Sequence, residues 1–346
     1  MELNFSAAAL QSTDHFALAA VELEYDAPFS AVLVHRPALS QPWERIDIER
    51  TIVALTFFGA DLMALSDEGD IYRIGSSIER SKIEGAGVSS SDADGRGRCT
   101  VMCTSGEKLW VAGENGQLYA NVDGISEWAK IALNSKFQAV ALLADGDGGV
   151  FLVGDDVIEA ISPAEVDYTN PQAILDALRV DRDTREQAGP TAHLYHVSAD
   201  LVVSELSIPD CSNVRGLASY GSGEVGITGV DGLFLKGKPR AGLFRENLGL
   251  KGQTLLCSAA AAQGIVIGTD SHWYVFDGAT VEPLRLGIAK HTARLPLSVY
   301  ESAGSTVLFD CKMNPLVLAQ GIWSDIEVPS ALRKREFDMQ DFLQDR

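Results

Sequence analysis

Trp110-Val-Ala-Gly-Glu-Asn-Gly-Gln-Leu-Tyr119 reads as a strand, a tight turn and a second strand. Apolar and aromatic residues flank an Asn-Gly pair, and those two residue types accept the positive φ angles that a short turn between antiparallel strands requires. The same arrangement stands at Leu65-Ser-Asp-Glu-Gly-Asp-Ile-Tyr72. Weaker copies follow at Val153-Gly-Asp-Asp-Val-Ile158, Ile227-Thr-Gly-Val-Asp-Gly-Leu-Phe234 and Ile267-Gly-Thr-Asp-Ser-His-Trp-Tyr274. Successive copies lie about 40 to 47 residues apart, with one gap near ~75, and that period is the length of a four-stranded propeller blade. Helical solenoids share the period but not the period-two alternation.

Taking each copy as the second and third strands of a blade predicts blades near 15–50, 51–84, 98–132, 137–208, 213–246, 253–287 and 295–328. The expected fold is all-β, a single β-propeller of about seven four-stranded blades over residues 1–329. Six blades is the alternative, because 15–50 has a weak third strand. Innermost strands should be the most apolar, as in Thr51-Ile-Val-Ala-Leu-Thr-Phe57, Phe137-Gln-Ala-Val-Ala-Leu-Leu143 and Thr254-Leu-Leu-Cys-Ser-Ala-Ala260. Outer strands should tolerate charge, as in Trp128-Ala-Lys-Ile131 and Arg80-Ser-Lys-Ile83. Residues 163–192 interrupt the fourth blade; Asn170 as a cap before Pro171 opens a helix with Ile174, Leu175 and Leu178 on one side. The tail 330–346 is expected to form a second helix, with Leu332, Met339, Phe342 and Leu343 near one stripe.

The stretch 110–119, continuing through Val122-Asp-Gly124 to Trp128, resembles the BNR-like propeller repeats of photosystem II assembly factors and related bacterial proteins. The resemblance implies the propeller fold and carries little about activity, since this scaffold serves unrelated roles. The Asp-box spacing of sialidases is not reproduced. Ser66-Asp-Glu-Gly69 places its Asp one position early, and Thr269-Asp-Ser-His-Trp273 lacks the Gly.

Charge is the one positive functional clue. With 28 Lys and Arg against 48 Asp and Glu, the net charge is −20, which repels a phosphate backbone or an anionic membrane surface. Nucleic acid and membrane are therefore not expected partners. The N-terminal Met1-Glu2-Leu3-Asn4 has an acid where a secretory signal needs Lys or Arg, so a cytoplasmic location is expected. Five cysteines without paired spacing suit a reducing compartment, and Cys99, Val101 and Cys103 should share one strand face as small buried hydrophobes.

Motifs that carry chemistry are missing from the sequence. His193 and His196, three apart on a predicted strand, fall on opposite faces and cannot share a metal. Gly85-Ala-Gly-Val-Ser-Ser-Ser-Asp-Ala-Asp-Gly-Arg-Gly97 lacks the Lys-Ser ending of a phosphate-binding loop, and Asp145-Gly-Asp-Gly-Gly149 lacks the closing Glu of a calcium loop. No cofactor, metal or catalytic residue is assigned. A hydrolytic propeller acting on carbohydrate would need a carboxylate pair facing the central channel.

One pattern remains. The turn between second and third strands carries an acid in each clear blade: Asp67 and Glu68, Glu114, Asp155 and Asp156, Asp231, and Asp270. With Asp92 and Asp94 of an inter-blade loop, these should gather on one face as an acidic ring. Asp is also a favoured turn residue, so turn chemistry is a sufficient alternative cause. The ring points to a non-enzymatic interaction module, monomeric by itself, for a basic protein partner. Its most specific form is a bacterial cytosolic immunity protein, an antitoxin that occludes the basic cleft of a toxin domain. An assembly scaffold or chaperone is the further alternative.

Overall fold

The computed structural model describes residues 4–333 apart from 22–27, 38–40, 90, 92, 122–126, 159–168, 287–294, 313 and 320. Seven four-stranded antiparallel sheets follow one another along the chain, spanning 4–48, 52–82, 99–132, 137–206, 214–245, 255–283 and 296–325. Within each sheet the strands are ordered as in the sequence. The first strands of successive sheets contact one another in a closed ring. This is a seven-bladed β-propeller.

Six blades begin within two residues of the positions expected from the repeat. The first does not: its innermost strand is Asn4–Ser12, and the segment expected to open the blade, His15–Val21, is its second strand. The opening strand Asn-Phe-Ser-Ala-Ala-Ala-Leu-Gln-Ser is mostly small residues with few β-branched ones, so its strand signal is weak. Its third strand, Ser30–His35, is wholly buried.

The apolar core lies between the blades. Seven clusters each join two neighbours, and the alternation of the strands explains how. In the second strand of blade two, Asp61–Ser66, Leu62 and Ala64 pack toward blade one, whereas Met63 and Leu65 pack toward blade three. Both faces of the strand are covered, so the sequence reads as a continuous apolar run. The innermost strands, expected to be the most apolar of each blade, are not its most buried. Ile52–Phe58 and Phe137–Ala144 are half-buried along most of their length because one side borders the channel, while the second strands are nearly sealed.

Every innermost strand carries a β-bulge near its start, at Ser6, Val53, Thr100, Val140, Arg215, Leu256 and Leu297. The extra residue bends the strand and exchanges its faces. Cys99 therefore packs with Met63 and Met102 toward blade two, whereas Val101 and Cys103 pack toward blade four. The expected shared face of these three residues is broken by the bulge at Thr100, whose hydroxyl bonds the Ala139 carbonyl of the next blade at 3.0 Å.

The ring closes without exchange of a strand between the first and last blades. Phe16 and Phe309 meet edge to face with centroids 5.5 Å apart, and the Phe5 N–H donates to the Cys311 carbonyl at 2.8 Å. Tyr300 donates its hydroxyl to the Ala8 carbonyl at 2.8 Å, and Trp43 donates to the Glu327 carbonyl at 3.0 Å.

The expected helix in blade four spans Pro171–Ala188, capped by the Asn170 side chain, which accepts from the Gln172 N–H. Leu175 and Leu178 are exposed. In the tail, Ser330–Arg333 forms a single 3-10 turn, and the helix expected beyond it lies outside the described residues.

Candidate interaction surface

Strand direction alternates within a blade, so the turns after second strands and the connections between blades emerge at one end of the propeller. Asp67, Glu68, Glu114, Asp231, Asp270 and Asp94 lie on these segments, and Asp155 and Asp156 end the second strand of blade four at the same end of the propeller. Asp92 lies outside the described residues. The structure gives most of these carboxylates a definite task. Glu114 accepts the Arg98 N–H at 2.9 Å, Asp231 accepts Gly252 at 2.8 Å and Asp270 accepts Thr254 at 3.1 Å. Glu68 accepts both Val88 and Ser89 at 3.0 Å. Asp155 accepts Asn213 at 2.8 Å and Val214 at 2.9 Å.

The donors are backbone N–H groups of the inter-blade connections or, for Val214, of the first residue of the strand that follows one. The acids clip the connections to the turns and are thereby pinned on this face. Burial and the adjacent Glu68 charge raise the Asp67 carboxyl above its usual value, against the lowering influence of Arg98 at 3.9 Å. Asp94, Asp231 and Asp270 are the exposed members.

A seventh-blade counterpart escaped the repeat. Buried Asp310, at the end of the second strand Ser305–Asp310, accepts the Leu295 N–H at 2.8 Å and Lys312 N–H at 2.9 Å. The signal for it is position in the period, since its local sequence has no Gly turn.

At the root of the helical insertion a pocket of about 300 Å³ is lined by Gln138, Asp155, Asp156, Thr191, Asn213 and Arg215, among others. Asp156 bonds Asn134 through one oxygen at 3.2 Å, and the other oxygen is buried without a partner. Val157 and Ile158, where the insertion leaves the blade, also line the pocket.

The central channel has two wide parts. One, of about 290 Å³, lies toward the ring of bulges and is lined by residues such as Ser6, Val53, Thr100 and Leu297. The other, of about 610 Å³, is lined by the C-terminal halves of the innermost strands of blades four to seven. Glu301 is the single carboxylate among the lining residues of either part, so the pair that a hydrolytic reading requires is not assembled there by the described residues.

His193 and His196 occupy the strand Ala192–Val197 and have separate partners: His193 meets Glu205 at 2.6 Å, and buried His196 meets Asp145 at 2.9 Å. Asp145 also accepts the Asp147 and Gly149 N–H groups, so the Asp-Gly loop is a self-bonded hairpin. Burial raises the Asp145 carboxyl, but the His196 and backbone hydrogen bonds outweigh it and lower it overall. Among the described residues no three His, Cys, Asp or Glu side chains gather closely enough to hold a metal ion. No helix among them is long and apolar enough to cross a membrane.

No family model matches this sequence, and no curated protein matches it. Solved structures do match in fold. YCF48 from Cyanidioschyzon merolae is 11% identical with a TM-score of 0.61, covering 91% of this chain and 95% of its own. YCF48 bound to D1 peptide is 9% identical with a TM-score of 0.60, covering 90% and 91%. The WD40 β-propeller domain of Doa1 is 10% identical with a TM-score of 0.57, covering 93% of each chain. These likenesses support the propeller fold that the repeat resemblance at Trp110–Tyr119 implies, while the identity is too low to define a sequence family.

Proposed function

We propose that this chain is a non-enzymatic protein-binding propeller that grips a basic protein partner on the face bearing the second-to-third-strand turns. The observation that carries this reading is a coincidence on that face. The turn carboxylates Asp67, Glu68, Glu114, Asp155, Asp156, Asp231 and Asp270 emerge where the inserted helix leaves blade four, and that helix exposes Leu175 and Leu178 to solvent. A rigid acidic surface speeds encounter with a basic partner, and a projecting apolar helix edge supplies desolvated contact. Among the structural neighbours, YCF48 is bound to a D1 peptide, which supports a polypeptide as the ligand of this scaffold. In its most specific form the partner is the basic cleft of a toxin acting on nucleic acid or nucleotides, and this chain is the immunity protein that blocks it.

The test is co-purification of a stable partner from native extract, followed by association kinetics between about 0.05 M and 1 M salt. An association rate that falls at least about tenfold over that range supports the reading. A salt-independent rate, or unchanged binding by a variant carrying Asp94→Asn, Asp231→Asn and Asp270→Asn, overturns the role of the acidic face.

A further inference from the structure

The opposite mouth of the channel carries features that the turn pattern does not foreshadow. Each innermost strand ends there in a hairpin, and in six of the seven blades that hairpin holds an acid at or beside its turn: Asp14, Asp61, Glu107, Asp145 with Asp147, Glu224 and Glu301. Blade six, turning at Ala262 and Gln263, is the exception. Several cations beside these hairpins are already engaged. Arg73 pairs with Asp61 at 2.5 Å, Lys236 pairs with Glu224 at 3.4 Å, and Lys108 donates to the Ala199 carbonyl. Exposed Asp14, Glu107, Asp147 and Glu301 form no ion pair among the described residues.

Inside this acidic rim lies the larger part of the channel. Its roughly 610 Å³ is within the range that takes a small ligand or a few side chains, and Leu142, Leu143, Leu217, Ala218, Ala260 and Val299 help to line it. Gly221 and Glu301 bring the lining up to the hairpins, so the chamber opens on the rim side. An apolar chamber lined by blades four to seven, at a mouth where Asp147 and Glu301 of those blades and Asp14 and Glu107 of blades one and three are free of ion pairs, presents two complementary demands. It recovers free energy only from apolar groups that displace its water, and its low-dielectric walls focus a negative field at the entrance.

We propose that this mouth is a second docking surface, distinct from the turn-bearing face, for an amphipathic basic segment of a protein partner: one or two large apolar side chains enter the chamber and flanking Lys or Arg residues meet Asp14, Glu107, Asp147 and Glu301. The chemistry needs both parts. Charge without an apolar centre leaves the chamber wet, and an apolar centre without cations leaves the rim unpaired.

Three synthetic peptides test this with the full chain: one with a Leu-Trp-Leu centre and Lys flanks, one with the same centre and Ser flanks, and one with a Ser centre and Lys flanks. Fluorescence anisotropy is expected to show the first binding at least about tenfold more tightly than either of the others. Combining Glu107→Gln, Asp147→Asn and Glu301→Gln should weaken it about tenfold at low salt. Asp231→Asn with Asp270→Asn, on the other face, should leave it unchanged. Equal binding of the two Lys-flanked peptides overturns the role of the chamber, and indifference to the rim substitutions overturns the role of the carboxylates. Weakening by the Asp231 and Asp270 substitutions instead moves the site to the turn-bearing face, an outcome that rejects this proposal and leaves the first reading standing.

Discussion

Asp155 and Val214 are joined across a blade boundary: one carboxylate oxygen of Asp155 accepts the Val214 N–H at 2.9 Å, while the other accepts Asn213 at 2.8 Å and the Thr191 hydroxyl at 2.9 Å. A single side chain thus fixes the first strand of blade five to the turn of blade four. Asp155→Ala leaves these donors without their acceptor and is expected to cost about 2–4 kcal/mol of stability. Asp155→Asn, which keeps one acceptor oxygen, should cost less. Asp94→Asn, at an exposed position, should stay within about 0.5 kcal/mol of the parent in the same urea titration.

Acid should unfold this protein partly through Asp70. Burial by itself raises its carboxyl, but the Arg80 hydrogen bond and charge, with Lys82 and Ser66, outweigh that and hold it below the usual value. Arg80 lies at 2.8 Å and Arg50 at 3.2 Å. The folded protein therefore releases this proton more readily than the unfolded chain does. Its contribution is complete above the unfolded value of about 3.9 and disappears as pH falls through the lower folded value. Asp70→Asn is expected to be less stable at neutral pH and to show a flatter decline of the urea midpoint below about pH 4.

Gly116 sits at φ +68°, and a Cβ there would lie 2.2 Å from the Asn134 carbonyl oxygen. Gly116→Ala is expected to lose at least about 2 kcal/mol, because strain and overlap combine. Gly146 has a similarly positive φ of +88° but open space around it. Gly146→Ala should lose only about 1 kcal/mol, and paired thermal melts of the two variants check the difference.

The insertion should be removable. Asp155 pairs with Ala192 at the point where the second and third strands of blade four come together, so a short Asn-Gly turn replacing 157–190 can reconnect them. The shortened protein is expected to melt within about 3 °C of the parent. Loss of partner binding with folding retained would assign the insertion to recognition, whereas unchanged binding would remove it from the proposed surface.

The sites followed the sequence less closely than the strands did. Glu114 and Asp270 were visible as turn acids because their neighbours repeat. Their hydrogen bonds to Arg98 and Thr254 were not, since each donor belongs to a connection of irregular length about sixteen residues away. Asp14, Glu107, Asp147 and Glu301 share no local motif, and only the direction of the innermost strands brings them to one mouth.

The sequence by itself determined the number and order of the blades after the first, because turn residues and period-two alternation are local and recur in every copy. It also determined the acidity and the helical start at Asn170. The tertiary structure alone decided the innermost strand Asn4–Ser12, whose small side chains signal little until neighbouring blades close over them. It alone decided the separation of Cys99 from Cys103, since one bulged residue exchanges strand faces without altering composition. The apolar chamber and its charged rim likewise exist only once seven strands far apart in the chain are held around one axis.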